Sequence, residues 1–143
     1  MIKWSAVFVS WVVDIGGSSA FGFVLLTAWF ATGLLPMSLA ADSKALTAAL
    51  FERPDLFAVS MAGGTFFSLL AGYVGARLAG RAFLLHGLLS SVACLASDLA
   101  SREQLLAMPV WLAALGIVLA PLAGVAGGYV RQLQVRRVEP TTA

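Results

Sequence analysis

The sequence predicts an all-α protein, a four-helix transmembrane bundle, on three observations. Of its 143 residues 60% are hydrophobic and only 11% are charged, and the mean hydropathy of +0.93 lies well outside the range of soluble domains. Four apolar segments, about 9–35, 56–78, 82–99 and 109–130, recur along the chain. Crossing a hydrocarbon core of ~30 Å at ~1.5 Å per residue takes about 20 residues. The third segment is short and must borrow its flanking residues or cross where the bilayer thins. Lastly, small residues recur every fourth position on two of the segments, a pattern that lets helix backbones approach closely in lipid. The whole chain reads as one membrane domain.

The first span follows Lys3 within an apolar run of 32 residues, Trp4 to Leu35. At about 48 Å such a helix exceeds the core, so part of it must lie outside. Trp4, Trp11 and Trp29 suit the two interfaces, where an indole N–H stays wet. Asp14 falls one to two turns inside, followed by Gly16-Gly17-Ser18-Ser19-Ala20. The opening also resembles a signal peptide, but the run is too long for a signal h-region and contains Asp14, so the span is expected to remain as an anchor.

Pro36 ends the span, and 37–55 form the one sizeable loop. Asp42 or Ser43 can cap a short helix through Glu52, with Leu46, Ala49 and Leu50 on one face and Pro54 stopping it. This reads as an amphipathic helix in the first outer loop, either lying on the membrane surface or packed as a lid over the bundle.

The second span carries the organising pattern, Gly64, Ser68, Gly72, Ala76 and Gly80, and the fourth repeats it as Gly116, Ala120, Gly124 and Gly128. These are the candidate helix-packing residues, predicted to bring the second and fourth helices together. Gly72-Tyr73-Val74 recurs as Gly128-Tyr129-Val130, and the serine pair Ser18-Ser19 recurs as Ser90-Ser91. Together the two matches read as a duplicated two-helix hairpin. The copies would be parallel, related by an axis along the membrane normal.

Charge sets the orientation. Lys3, Arg77, Arg81, Arg131, Arg136 and Arg137 flank one set of helix ends, and Lys44, Arg53 and Arg102 flank the other. Retention of Lys and Arg on the cytoplasmic side therefore places both termini in the cytoplasm, in a bacterial inner membrane. The arginine-rich tail is an anchor for anionic headgroups. With no soluble domain and no basic patch interleaved with aromatics, nucleic acid is not an expected partner. A second copy of the chain or another membrane protein is.

Asp14 is the only acidic residue inside a span, and a charge there costs ~2.5–3.5 kcal/mol at the bilayer centre. It must find a partner or take up a proton. His86, about one turn past Arg81, should share its depth, so Asp14 and His86 are the candidate proton- or ion-responsive pair. The alternative arrangement has Asp14 bonded to a neighbouring helix through Arg77 or Ser90 and His86 in the wet headgroup zone. Asp98, Arg102 and Glu103 read as a solvated outer loop. One histidine and one cysteine, Cys94, are too few for the usual zinc or copper sites. No Gly-x-Ser-x-Gly elbow or phosphate loop is present, and no cofactor is expected.

On Asp14-Ile-Gly-Gly-Ser18, Gly72-Tyr73-Val74-Gly75-Ala76-Arg77-Leu78-Ala79-Gly80 and Leu85-His86-Gly87 the chain resembles small bacterial four-span integral membrane proteins of unassigned function. The resemblance implies topology and no activity. The leading functional expectation is a non-enzymatic membrane protein of structural or accessory character. The alternative is a small proton-coupled carrier using Asp14. A carrier requires a polar cavity that reaches Asp14, and an accessory protein does not.

Overall fold

A computed structural model describes residues 1–100 and 109–138, with side chains through Ser97 and from Pro109 through Arg137. The elements are α1 (Trp4–Ala31), a 3-10 turn (Met37–Ala41), α2 (Ser43–Phe51), α3 (Pro54–Ala79), α4 (Phe83–Ala100) and α5 (Val110–Val138). Three of the helices, over Trp4–Ala31, Pro54–Ala79 and Val110–Arg137, are long and apolar enough to cross a membrane. The apolar stretch of α4, Phe83–Ser97, is shorter, about 22 Å at the usual rise. The expected count of four spans therefore rests on three helices by length and composition. Arg102 and Glu103, and the side chain of Asp98, lie outside the described residues.

Helix ends follow local chemistry. Gly33 takes the left-handed conformation (φ +74°), so α1 stops at Ala31, short of the expected Leu35. Leu35 turns back, its N–H donating to the Trp29 carbonyl at 3.2 Å. Asp42 caps α2 by accepting the N–H groups of Lys44 and Ala45 at 3.0 and 3.1 Å. Pro54 opens α3, where its missing N–H costs nothing. Gly80 closes α3 in the left-handed conformation (φ +73°). It is thus a stop signal and not a rung of the packing ladder.

Helices α3 and α4 touch each other, and each packs extensively on both α1 and α5, whereas α1 and α5 share no extensive contact among the described residues. An exact two-fold would map α1 onto α4 and α3 onto α5, and so would require α1 and α5 to pack as α4 and α3 do. The packing of the described residues therefore lacks exact two-fold symmetry. Helix α2 lies over one end, where Leu39, Leu46, Ala49 and Leu50 pack on a buried cluster of Trp29, Leu35 and Leu56. That placement makes it a lid on α1 and α3.

The burial pattern is inverted relative to a soluble protein. The largest fully buried side chains are His86, Ser10, Ser90 and Ser91, while Phe8, Phe23, Phe66 and Trp111 are exposed, Phe23 at 74%. An outer belt of apolar side chains around a polar interior is the distribution of a membrane-embedded bundle.

Glycines make the tightest contacts. A Cβ at Gly72 would run into the Gly124 carbonyl, one at Gly127 into the Leu69 carbonyl and one at Gly87 again into Gly124. Gly124 and Gly128 in turn meet α4, at Ser91 and the Phe83 carbonyl. Between α1 and α3 the exchange is reciprocal: the Phe67 ring lies over Gly17 and the Phe21 ring over Gly63. Of the expected ladder, Gly64 and Gly116 have nothing within 4 Å of a Cβ. Both face the cavity described below, where there is no helix to meet.

Two substitutions separate these environments. Gly72→Ala must push two backbones apart and should lower the melting temperature in detergent by several degrees, with a loss of roughly 1–3 kcal/mol. Gly116→Ala enters open space in a helix interior and should be neutral or raise stability by about 0.5–1 kcal/mol. Circular dichroism melts of the two variants compare them, and equal melts would mean the α3–α5 contact does not hold the bundle.

Candidate functional site

Polar side chains are stacked in three layers through the bundle interior. The first is at the end carrying both described helix termini, Lys3 and the close of α3. There the Lys3 backbone N–H donates to His86 Nε2 at 3.1 Å, and Lys3 Nζ donates to the Leu78 carbonyl at 2.9 Å. His86 Nδ1 lies 3.1 Å from the Ala82 carbonyl. A backbone N–H can only donate and a carbonyl can only accept, so the ring carries its proton on Nδ1 and presents Nε2 as acceptor. His86 is fully buried, which corrects its expected place in the wet headgroup zone. The cause is its position at the start of α4, where the segment before α1 folds over it.

One layer further in, Ser10 and Ser90 meet Oγ to Oγ at 2.6 Å. Each hydroxyl also lies 2.8 Å from a carbonyl of its own helix, Val7 and His86 respectively. Two protons serve three contacts, so one of the three is always without a hydrogen. Gly75 makes the pairing possible, because a Cβ there would stand 2.8 Å from Ser90 Oγ and 3.1 Å from Ser10 Oγ.

Asp14 forms the third layer, 5% exposed. Ser68 Oγ lies 3.2 and 3.3 Å from its two carboxylate oxygens and Ser18 Oγ lies 3.4 Å from one of them. Hydroxyl-to-carboxylate bonds normally measure about 2.5–2.7 Å. The Asp14 carboxylate is therefore loosely satisfied. The one ion pair among the described residues is Arg53 with Asp55 at 2.9 Å, outside the bundle interior. Asp14 meets neither His86 nor Arg77 nor Ser90, the partners its depth suggested. Ser90 is taken by Ser10, and His86 sits two layers away.

Above Asp14 the helices part around a cavity of about 520 Å³. Asp14, Ser18 and Ser68 line its inner part. Its walls continue through Ser60, Met61 and Gly64 of α3, Cys94 and Ser97 of α4, and Leu112 and Gly116 of α5. Asp14 and Cys94 are the only ionisable groups among the lining residues. Trp11, expected at the interface with a wet N–H, donates instead to Ser97 Oγ on the cavity wall at 2.8 Å.

Asp14, singled out by the sequence as the acidic residue within a span, is buried and borders the cavity; the other residues of these layers were not singled out in these roles. Those are Ser10 and Ser90 as a pair, Ser68 as a carboxylate partner, Ser97 and Gly75. Apart from the seven-residue spacing of Ser90 and Ser97, they carry no shared pattern, and in isolation each is indistinguishable from a small packing residue. The chain matches no protein-family model, no curated protein and no solved structure.

If the Ser10–Ser90 bond couples α1 to α4, a double-mutant cycle of Ser10→Ala and Ser90→Ala should give a coupling of roughly 0.6 kcal/mol, up to about 1.7, the range found for side-chain bonds between membrane helices. Additive losses in the detergent unfolding free energies would show that the two hydroxyls act independently.

Proposed function

We propose that the chain is a small four-helix carrier of the bacterial inner membrane, not an enzyme, in which Asp14 binds the ligand and exchanges a proton. The observation that carries this reading is the cavity of about 520 Å³ with a loosely held carboxylate in its inner part. Ligand sites commonly occupy ~300–1,000 Å³. A carrier requires a polar cavity that reaches Asp14 and an accessory protein does not, so the cavity favours the carrier over the reading that the sequence alone put first.

The packing supports a mechanical account. At the end carrying Lys3, Arg77 and Arg81 the bundle is closed by the Gly72–Gly124 and Gly87–Gly124 approaches, the Ser10–Ser90 pair and the Lys3 bonds. The cavity lies between that closure and the end covered by α2. Pro121 interrupts α5 between the cavity wall at Ala120 and the glycine contact at Gly124. Its missing N–H leaves the Ile117 carbonyl without the usual turn closure, so α5 can bend there. The excess of Lys and Arg at the closed end, Lys3, Arg77, Arg81, Arg131, Arg136 and Arg137, over Lys44 and Arg53 toward the other supports a cytoplasmic location for the closed end. In that orientation the cavity is reached from outside.

For proton exchange, the groups facing Asp14 matter. Ser18 faces it from α1 and Ser68 from α3. Among the cavity-lining residues α4 contributes one ionisable group, Cys94, and α5 none. Among the described residues no Lys, Arg or His lines the cavity beside Asp14, and a proton and a bound cation would compete for the same carboxylate oxygens. Exclusive occupation by one or the other is the basis of coupling.

Two measurements test this. In a Cys94→Ala background, Ser60→Cys should react with a membrane-impermeant maleimide in right-side-out vesicles, and Ser90→Cys should stay unlabelled. Labelling of Ser60→Cys only in inside-out vesicles would reverse the orientation, and no labelling from either side would refute an open cavity. In bilayers, infrared spectra should show a carboxyl band that titrates with bulk pH and is missing from Asp14→Asn. A band that ignores bulk pH while the protein stays folded would exclude Asp14 from proton exchange.

A further inference from the structure

We infer that the cavity takes a protonated primary amine with a compact apolar body. This deepens the carrier reading and rests on its assignment of the cavity as a ligand site.

Three features of the lining select that chemistry. The first is charge: among the described residues the lining holds one carboxylate and no Lys, Arg or His. A single positive charge is matched, a second would be left buried and uncompensated, and an anion has no counter-charge. The second is hydrogen-bonding capacity. The Asp14 oxygens have only contacts of 3.2–3.4 Å to Ser18 and Ser68, and an ammonium N–H makes charge-assisted bonds of about 2.7–2.9 Å to such oxygens. Three N–H groups can reach the carboxylate and the neighbouring serine oxygens, satisfying a donor set that is otherwise costly to bury. A quaternary ammonium brings no N–H, and Phe57 alone is not the aromatic cage that recognises such ions through their faces. The third is shape. Ile15, Met61, Leu95, Leu112 and Leu119 supply the rest of the wall, a surface that an apolar body covers and a polyol does not.

The test is calorimetric titration of the protein in lipid nanodiscs, with empty nanodiscs subtracted for partitioning. The probes are phenethylammonium, benzyltrimethylammonium, 2-phenylethanol and phenylacetate. Phenethylammonium should bind at least tenfold more tightly than each of the other three. Asp14→Asn should weaken it about 30-fold or more, as expected when one partner of a buried charged pair is removed. Gly116→Leu, which fills open space in the cavity, should reduce binding of every probe with the melting temperature retained. Equal binding of the quaternary ion or the alcohol would overturn the amine assignment while leaving the cavity as a site. Absence of binding by any probe would overturn the site itself. The carrier reading is read separately in proteoliposomes containing a pH-sensitive dye: tight, Asp14-dependent amine binding without amine-driven proton movement would leave the ligand class standing and refute the carrier.

Discussion

Everything in this bundle depends on how closely α3, α4 and α5 approach where Gly72, Gly87 and Gly124 converge. Lipid tails are as apolar as the helix surfaces, so burying leucine against leucine gives no net drive to associate, and cohesion must come from dense backbone contact and polar pairs. Removing three side chains at one level places carbonyls against Cα hydrogens and maximises both dispersion and weak C–H···O contacts. The same convergence closes one end of the bundle. The cavity lies beyond that level, where Gly64 and Gly116 meet no neighbouring helix.

Polar residues extend this closure inward. Ser10 and Ser90 meet only because Gly75 yields room beside them, and His86 accepts a backbone N–H from Lys3 only because the segment before α1 crosses the start of α4. Each hydroxyl or ring nitrogen thereby finds a partner that it would otherwise seek at the interface. Asp14 is the exception. It lies where packing gives way to open space, and its two serine neighbours satisfy it at distances that leave acceptor capacity unused. Tight closure below and loose satisfaction above are one arrangement seen from two ends, and this links the stability of the fold to the chemistry of the site.

Sequence reasoning was most successful where the signal is local. The α2 cap at Asp42, the end of α2 before Pro54 and the singular status of Asp14 all follow from the chemistry of one residue and its immediate neighbours. It was least successful where meaning depends on which helix lies opposite. Gly64, Gly72 and Gly80 occupy identical positions in the four-residue pattern, yet one lines a cavity, one meets a backbone and one ends a helix. The duplication suggested by paired serines and Gly-Tyr-Val triplets likewise has no counterpart as an exact two-fold in the packing, since α1 and α5 share no extensive contact among the described residues.

By itself the sequence determined an all-α chain with long apolar helices, the positions of its caps and breaks, and a single acidic group among apolar residues. Those properties depend on hydropathy, on backbone conformational preference and on composition, which are carried by individual residues or short windows. Tertiary structure alone decided which glycines touch, which serines pair, that His86 is buried apart from Asp14, and that Asp14 borders a cavity. The reason is physical. In a membrane every helix presents a uniformly apolar, glycine-rich surface, so partner choice is set by the fit of whole surfaces against each other, and a small residue reads identically whether it faces a neighbouring backbone or empty space.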